Sequence, residues 1–163
     1  MPTIQPRESV KDSKPAGNEK RVDETLMPPG KYEVTPEHTF EVVVNMRAEG
    51  NRWVITQQSG KGVETHKVTF RMWTYDEIVN LRKAATTFDA VRRMHLVDTD
   101  LLDRLKVQKL MRSWTFDRDN PRLKIHRVNE TLTDESWESF KKLHPNIIRY
   151  ILEKMNEILE YNG

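Results

Sequence analysis

The C-terminal part of the chain carries the strongest amphipathic pattern in the sequence. After Pro145, apolar residues recur at helical spacing, as Ile147, Ile148, Ile151, Leu152, Met155, Ile158 and Leu159. Because proline is favourable at the first position of a helix, the pattern predicts a helix that begins at Pro145. Its apolar stripe must be covered either by the protein's own sheet or by a partner. We expect the sheet, because a domain of this size needs such a helix to complete its core.

A shorter helix is predicted just before this one. Thr133 has the side chain of an N-cap, and Trp137 and Phe140 follow at a spacing that places them on one buried face. Pro145 disfavours the helical conformation at His144, so the two helices are expected to be separate.

Alternating residues predict a β-sheet in the first half of the chain. From Thr39, apolar side chains alternate with mostly polar ones, and two further runs, 52–57 and 63–73, are rich in aromatic and β-branched residues or alternate in the same way. Turn residues that include glycine separate the runs. The three runs therefore predict an antiparallel β-meander of three strands within residues 31–73.

Two more helices are predicted after the sheet. Thr74 and Glu77 have the spacing of a capping box, and apolar residues follow on one helical face as far as Phe88. Thr99 is the predicted N-cap of the next helix, with an acidic residue on either side of it. The apolar spacing of this helix continues to Trp114, where we expect it to end.

These elements define an α+β fold in one domain, residues 31–163, with the β-meander first and a helical part, 74–163, after it. The connector 117–130 is predicted to be exposed and weakly structured. Residues 1–30 combine balanced charges with the prolines Pro2, Pro6, Pro15, Pro28 and Pro29. Such a composition buries too little apolar surface to offset its ordering, so it predicts an extended N-terminal arm that is flexible or ordered by partners.

The composition excludes several classes of function. The chain has no cysteine, which excludes disulfides, thiolate metal ligands and a thiol nucleophile. Its formal net charge of +2 does not supply the broad positive field of nucleic-acid-binding proteins, so nucleic acid is not the expected partner. No apolar run reaches the length of a membrane span, and the N-terminus has no signal-peptide core, so no membrane association is expected.

No arrangement of residues in the sequence predicts catalysis. No two of the histidines lie at the helical spacing of a metal-binding pair; they are His38, His66, His95, His126 and His144. The acidic residues around Thr99 are explained by a helix start, and the Ser59–Gly62 loop lacks the rest of a phosphate-binding motif. An alternative, a small nucleic-acid-binding regulator, would use basic residues between Arg92 and Arg112. We predict no enzyme activity, no metal and no cofactor.

Several short motifs resemble those of one family of phage proteins. The residues that match are Val68, Phe70, Thr74, Tyr75, Glu77, Trp114, Leu132, Thr133, Leu143, Pro145, Ile148 and Ile151. Over residues 67–159 the chain resembles the tail assembly chaperones of long-tailed bacteriophages. The resemblance implies a non-catalytic protein that coats the tape-measure protein, keeps it soluble in the host cytoplasm and recruits tail-tube subunits.

The polar segment 1–30 departs from this family pattern and leaves an alternative open. This alternative is a permanent virion component of the tail, baseplate or head–tail junction, whose arm ties neighbouring subunits together. The chaperone function requires exposed apolar and aromatic side chains that self-associate or wrap a long helix. The candidate partner-binding residues are Trp114, Trp137, Phe140, Ile148, Ile151, Leu152 and Met155.

Overall fold

The structure, a computed structural model, describes residues 33–161 of the chain. The chain divides after His38 into two units, which are described separately. The first contains a turn in which the His38 N–H donates to the Thr35 carbonyl oxygen at 2.9 Å. The predicted N-terminal arm lies outside the described residues. The second unit begins at Thr39 and contains the helices and strands that the structure describes.

Helices and strands are interleaved along the second unit. In chain order they are β1 (Thr39–Glu49), β2 (Arg52–Thr56), β3 (Glu64–Arg71), α1 (Tyr75–Ala84), β4 (Thr86–Asp89), β5 (Met94–Val97), α2 (Thr99–Leu110), β6 (Met111–Trp114), β7 (Arg127–Val128), β8 (Thr131–Leu132), α3 (Asp134–Phe140) and α4 (Pro145–Tyr161). The α+β class is therefore confirmed. The prediction of a purely helical part over 74–163 is wrong, because β4 to β8 lie within it.

Four strands form one antiparallel sheet in the order β2-β1-β3-β6. The strand β1 lies inside the sheet, and its Asn45 is opposite Thr56 of β2 on one side and Thr65 of β3 on the other. The predicted meander, in which β2 lies between β1 and β3, is therefore wrong. The cause is the length of β1, whose 11 residues pair with β2 near their C-terminal end and with β3 along most of the strand.

A two-residue turn joins β1 to β2 and fixes their register. Gly50 has a φ of +64°, a conformation that glycine adopts without the steric cost that a side chain brings. A positive φ at the first central position is what a type II′ turn requires. The residues that flank the turn, Glu49 and Arg52, lie directly opposite each other.

One face of the sheet is covered by α2 and α4. Val42 and Val44 of β1 point to this face and are buried, whereas Glu41 and Val43 are exposed on the other face. The helix α4 packs against β1, and α2 packs against β3 and β6. The apolar stripe of α4 therefore faces the protein's own core, as expected, and its fully covered residues are Ile147, Ile151, Met155 and Leu159.

The helix α2 ends at Leu110, before the predicted end at Trp114. Met111 has an extended backbone, with φ −69° and ψ 129°, and it begins β6. Trp114 lies opposite Val68 of β3. Met111 and Trp114 are buried in this strand, just as they would be on the inner face of a longer helix. The apolar spacing alone therefore does not distinguish the two conformations.

The connector between β6 and α3 is more ordered than predicted. It contains a short 3-10 helix, Pro121–Leu123, and the hairpin of β7 and β8. Leu123 and Ile125 pack against the core, and Phe116 and Leu132 are buried. The prediction that 117–130 is exposed is confirmed for most of the segment, because none of its residues is buried. Its apolar residues Leu123 and Ile125 are half-buried, which the charged residues around them did not indicate.

Side-chain oxygens cap the N-termini of the first three helices. The Glu77 N–H donates to the Thr74 hydroxyl at 3.2 Å, and the Ser136 N–H donates to the Thr133 hydroxyl at 3.2 Å. The cap of α2, however, is Asp98 and not Thr99, because the Asp98 carboxylate accepts from the Leu101 N–H at 3.0 Å. Thr99 is the first residue inside α2.

Replacing Asp98 and replacing Thr99 are expected to change the free energy of unfolding by different amounts. Asp98→Ala is expected to lower the free energy of unfolding by about 1 kcal/mol, because it leaves the Leu101 N–H without its acceptor. Thr99→Ala is expected to change it by less than about 0.5 kcal/mol, because alanine suits the helix interior. Urea denaturation of both variants measures the difference, and equal effects would contradict the assignment of Asp98 as the cap.

Candidate functional site

Most of the candidate partner-binding residues belong to the core. Phe140 stacks on Trp114, with ring centroids 6.1 Å apart, and on Trp137, with centroids 5.2 Å apart. The Trp114 indole N–H donates to the Leu123 carbonyl oxygen at 2.9 Å. Side chains at this depth do not reach a partner while the fold is intact. The buried candidates are Trp114, Phe140, Ile151 and Met155.

The other three candidates, Trp137, Ile148 and Leu152, are half-buried. Trp137 covers the edge of the core, and the guanidinium carbon of Arg104 lies 5.7 Å from its ring centroid. Ile148 and Leu152 line a shallow groove of about 370 Å³ on α4. These three side chains present only part of their surface, and the larger exposed apolar surface lies elsewhere.

The most exposed apolar side chains cluster in a segment that the sequence analysis did not select. In the described part of the chain, most of the exposed large apolar side chains lie between residues 75 and 97; they are Tyr75, Val79, Phe88, Val91, Met94 and Val97. The last four belong to the hairpin of β4 and β5. We call these four side chains, Phe88, Val91, Met94 and Val97, the hairpin surface.

The hairpin exposes apolar side chains on both of its faces. Phe88 lies opposite His95, and the next residue, Asp89, lies opposite Met94. Because successive residues of a strand point to opposite faces, Phe88 and Met94 lie on different faces of the hairpin. Phe88 is 58% exposed and Met94 is 48% exposed. A strand pair with exposed apolar residues on both faces is not packed flat on the domain.

The loop at the tip of the hairpin has a defined shape. The Asp89 carboxylate accepts from the N–H groups of Val91 and Arg92, at 2.9 Å and 3.1 Å. Arg93 has a φ of +55°, which costs a residue with a side chain on the order of 1 kcal/mol. These features hold Val91 at the tip with 94% of its surface exposed. A loop that is ordered in advance loses little entropy when it binds.

Hydrogen bonds at the base join the hairpin to the rest of the domain. The Asp98 N–H donates to the Ala85 carbonyl oxygen at 2.8 Å, and the Thr86 hydroxyl donates to the Arg82 carbonyl oxygen at 2.5 Å. The helix that the sequence predicts as far as Phe88 therefore stops before the hairpin begins. Its predicted last turn is the strand β4.

The basic residues between Arg92 and Arg112 do not form one strip. Arg92 lies in the hairpin loop, whereas Lys106 is buried in α2 and its ammonium group contacts the Glu160 carboxylate at 3.0 Å. Burial raises the pKa of Glu160, but hydrogen bonds and charges from Lys106 and Arg82 outweigh burial and lower the pKa overall. The continuous strip that the nucleic-acid-binding alternative required is therefore interrupted within the described chain.

His66 belongs to a side-chain network that helical spacing did not reveal. Its Nδ1 lies 3.1 Å from the Thr115 hydroxyl, and its Nε2 lies 2.7 Å from the Glu64 carboxylate. Glu64 and His66 share a face because they are alternate residues of a strand. The series has the order of a catalytic triad, and the Thr115 hydroxyl also accepts from the Lys67 N–H at 3.0 Å. The network therefore ties the end of β6 to β3.

Two further properties limit the kinds of site that the described residues offer. Within residues 33–161 no group of three or more His, Asp or Glu residues is arranged to hold a metal ion. None of the helices in that range combines the length and the hydropathy that crossing a membrane requires. The hairpin surface is therefore the feature that we consider first as a functional site.

Comparison of the chain with models of protein families, with curated proteins and with solved structures finds no significant match. The resemblance to tail assembly chaperones therefore stays a prediction from short motifs. The surfaces of the protein itself carry the functional proposal.

Proposed function

We propose that the protein is a non-catalytic tail morphogenesis protein of a long-tailed bacteriophage, which binds another tail protein through the hairpin surface. The motifs between 67 and 159 that resemble tail assembly chaperones support the phage assignment. The proposed binding role rests on the hairpin of β4 and β5, which exposes apolar side chains on both faces and at its tip. Exposed apolar surface of this kind is typical of sites that contact other proteins.

The expected partner is the tape-measure protein, because the resemblance implies it, with a tail-tube subunit as the alternative. The partner covers Val91 at the tip together with Phe88 on one face or Met94 on the other, and because Phe88 and Met94 are only about half exposed, each of these contributes on the order of 1 kcal/mol before the entropic cost of association. Arg92 and Arg93 at the tip favour acidic residues beside the apolar stripe of the partner.

Co-expression with the tape-measure protein of the same genome tests this function. The wild-type protein is expected to raise the soluble fraction of the tape-measure protein and to copurify with it. The triple variant Phe88→Ser, Val91→Ser, Met94→Ser is expected to lose both effects, because it removes the apolar contact surface. The soluble fraction is measured by quantitative electrophoresis of cell lysates.

The matched control is the double variant Val43→Ser, Val128→Ser, which replaces exposed apolar residues outside the hairpin. This variant is expected to solubilise the tape-measure protein as well as the wild type does. Equal solubility of the tape-measure protein with and without the wild-type protein would contradict the proposed function. If the triple variant solubilised the tape-measure protein as well as the wild type does, the role of the hairpin surface would be contradicted.

Mass spectrometry of purified phage particles separates the chaperone from the alternative of a permanent virion component. We expect the protein to be absent from mature particles, because an assembly factor leaves when its partner is packed. The alternative depends on the N-terminal arm, which lies outside the described residues.

A further inference from the structure

The strand β2 is at the edge of the sheet, and its outer side is only partly covered. Glu49 and Arg52 flank the two-residue turn and exchange hydrogen bonds, so the main-chain groups of Trp53 and Ile55 point away from β1. The Asn146 side chain donates to the Trp53 carbonyl oxygen at 3.2 Å. Among the described residues, the two outward N–H groups and the Ile55 carbonyl have no partner.

A groove and a cleft lie along this edge. The groove has a volume of about 410 Å³ and is lined by β2 together with His144 and Asn146. The cleft has a volume of about 550 Å³ and opens where α4 begins, beside one end of the sheet. Trp53 and His144 line both the groove and the cleft, so the groove leads into the cleft.

The cleft combines an apolar floor with a basic rim. Arg122 and Lys142 are exposed at the rim, and their side chains have no ion pair or hydrogen bond within the described residues. The acidic residues of the cleft are Glu64, which is bonded to His66, and Asp119. The floor includes Trp53, Phe116, Leu143 and Ile147.

We propose that this edge binds an extended acidic segment of another protein, which joins the sheet as a strand beside β2. The main chain of the segment pairs with Trp53 and Ile55, as in other complexes in which a peptide adds to a sheet edge. Alternate side chains of the segment point towards the cleft. There, apolar side chains contact the floor and acidic ones meet Arg122 and Lys142 at the rim.

The charges favour an acidic partner over a second copy of this chain. The strand β2, Arg52–Thr56, contains no acidic residue, so a second copy that paired through its own β2 would bring no opposite charge to Arg122 and Lys142. A strand of another protein that carries carboxylates places negative charges beside the positive charges of Arg122 and Lys142. Rim charges of this kind act mainly on selectivity and on the rate of association.

This site shares no residue with the hairpin surface, so it goes beyond the proposed function and does not depend on it. A protein that fails to bind the tape-measure protein can still bind an acidic strand at β2. Variants of the two surfaces therefore separate the failure of one proposal from the failure of the other.

Fluorescence anisotropy with a labelled peptide tests the proposal on the full chain. The repeat valine-threonine-glutamate-threonine places valine and glutamate in turn on one face of an extended peptide. This peptide is expected to bind, and the same peptide with lysine in place of glutamate is expected to bind at least about ten-fold more weakly. Arg122→Glu with Lys142→Glu is expected to reverse this preference, because it makes the rim acidic.

The matched control is Lys83→Glu with Arg93→Glu, which changes the net charge equally at exposed positions that line neither the groove nor the cleft. It is expected to change the affinity by no more than about two-fold, since distant exposed charges are screened by salt. Hydrogen exchange provides an independent measurement, because strand addition must slow exchange at the Trp53 and Ile55 amides.

Three outcomes would overturn the proposal. The first is that the glutamate peptide does not bind, or that the lysine peptide binds equally well. The second is binding that leaves exchange at the Trp53 and Ile55 amides unchanged. The third is self-association in sedimentation experiments that the reversal of Arg122 and Lys142 alters, because a second copy would then be the occupant.

Discussion

Replacing Phe140 with alanine is expected to lower the free energy of unfolding by about 4 kcal/mol. The ring is 0% exposed and stacks against the indoles of Trp114 and Trp137. Alanine leaves a cavity that these large, fixed rings cannot fill, and it removes two aromatic contacts worth about 0.5 to 1.5 kcal/mol each. Chemical denaturation followed by tryptophan fluorescence measures the change.

Phe88→Ala is the matched control, because it removes the same atoms from a ring that is 58% exposed. We expect a change smaller than about 1 kcal/mol for this variant, since most of the ring already contacts water. If Phe140→Ala lowered the free energy of unfolding as little as Phe88→Ala does, Phe140 would not be part of the packed core.

Features determined by neighbouring residues could be predicted from the sequence. The capping box at Thr74 and Glu77 satisfies amides only three residues apart, so its spacing is visible in the chain. The stripe of α4 is equally local, because one face of a helix repeats at a fixed interval. The cap of α2 was misplaced by one residue, because Asp98 and Thr99 both carry an oxygen at the right distance.

The order of the strands could not be predicted, because it depends on contacts between distant parts of the chain. Alternation identifies β1, β2 and β3 but not which of them pair. The fourth strand follows a helix directly, and the apolar spacing of Met111 and Trp114 fits a helix and a strand equally well. The pairing of Trp114 with Val68 is what selects the strand.

The hairpin surface escaped the sequence analysis for a physical reason. A strand that lies on a core alternates apolar and polar residues, whereas β4 and β5 are solvated on both faces and show no such alternation. The signal that was present is the pair of β-favouring runs, Thr86–Phe88 and His95–Val97, separated by six residues that include two adjacent arginines. The sequence analysis took an amphipathic helical stripe as the candidate partner-binding surface, and most side chains of that stripe complete the core.

The ion pair of Arg71 and Glu77 is expected to make stability depend on pH. The two side chains are joined by two hydrogen bonds, at 2.6 Å and 2.9 Å, and are 11% and 19% exposed. The bond to Arg71, together with the Thr74 N–H that donates to the same carboxylate, outweighs the effect of burial. These contacts lower the pKa of Glu77 from 4.5 to about 2.

The direction of the pH effect on stability follows from comparing the pKa of Glu77 in the unfolded chain with its lower pKa in the folded chain. The unfolded chain binds more protons than the folded chain between pH 4.5 and about 2, so stability rises with pH across this window. The contribution of Glu77 is fully present above pH 4.5 and is lost as the pH falls towards about 2. Allowing for partial access of solvent, it amounts to about 2 to 3 kcal/mol.

Glu77→Gln removes this charge and leaves the largely buried Arg71 guanidinium without the carboxylate of its ion pair. At neutral pH the variant is expected to be less stable than the wild type by about 2 to 3 kcal/mol, and the difference should shrink as the pH falls below 4.5. Urea denaturation across this pH range measures the difference. Glu153→Gln is the control, since Glu153 is exposed, and it should lower stability by less than about 0.5 kcal/mol at any pH. If the Glu77→Gln difference stayed constant as the pH fell, the hydrogen bonds of the cap, and not the charge of Glu77, would be responsible for it.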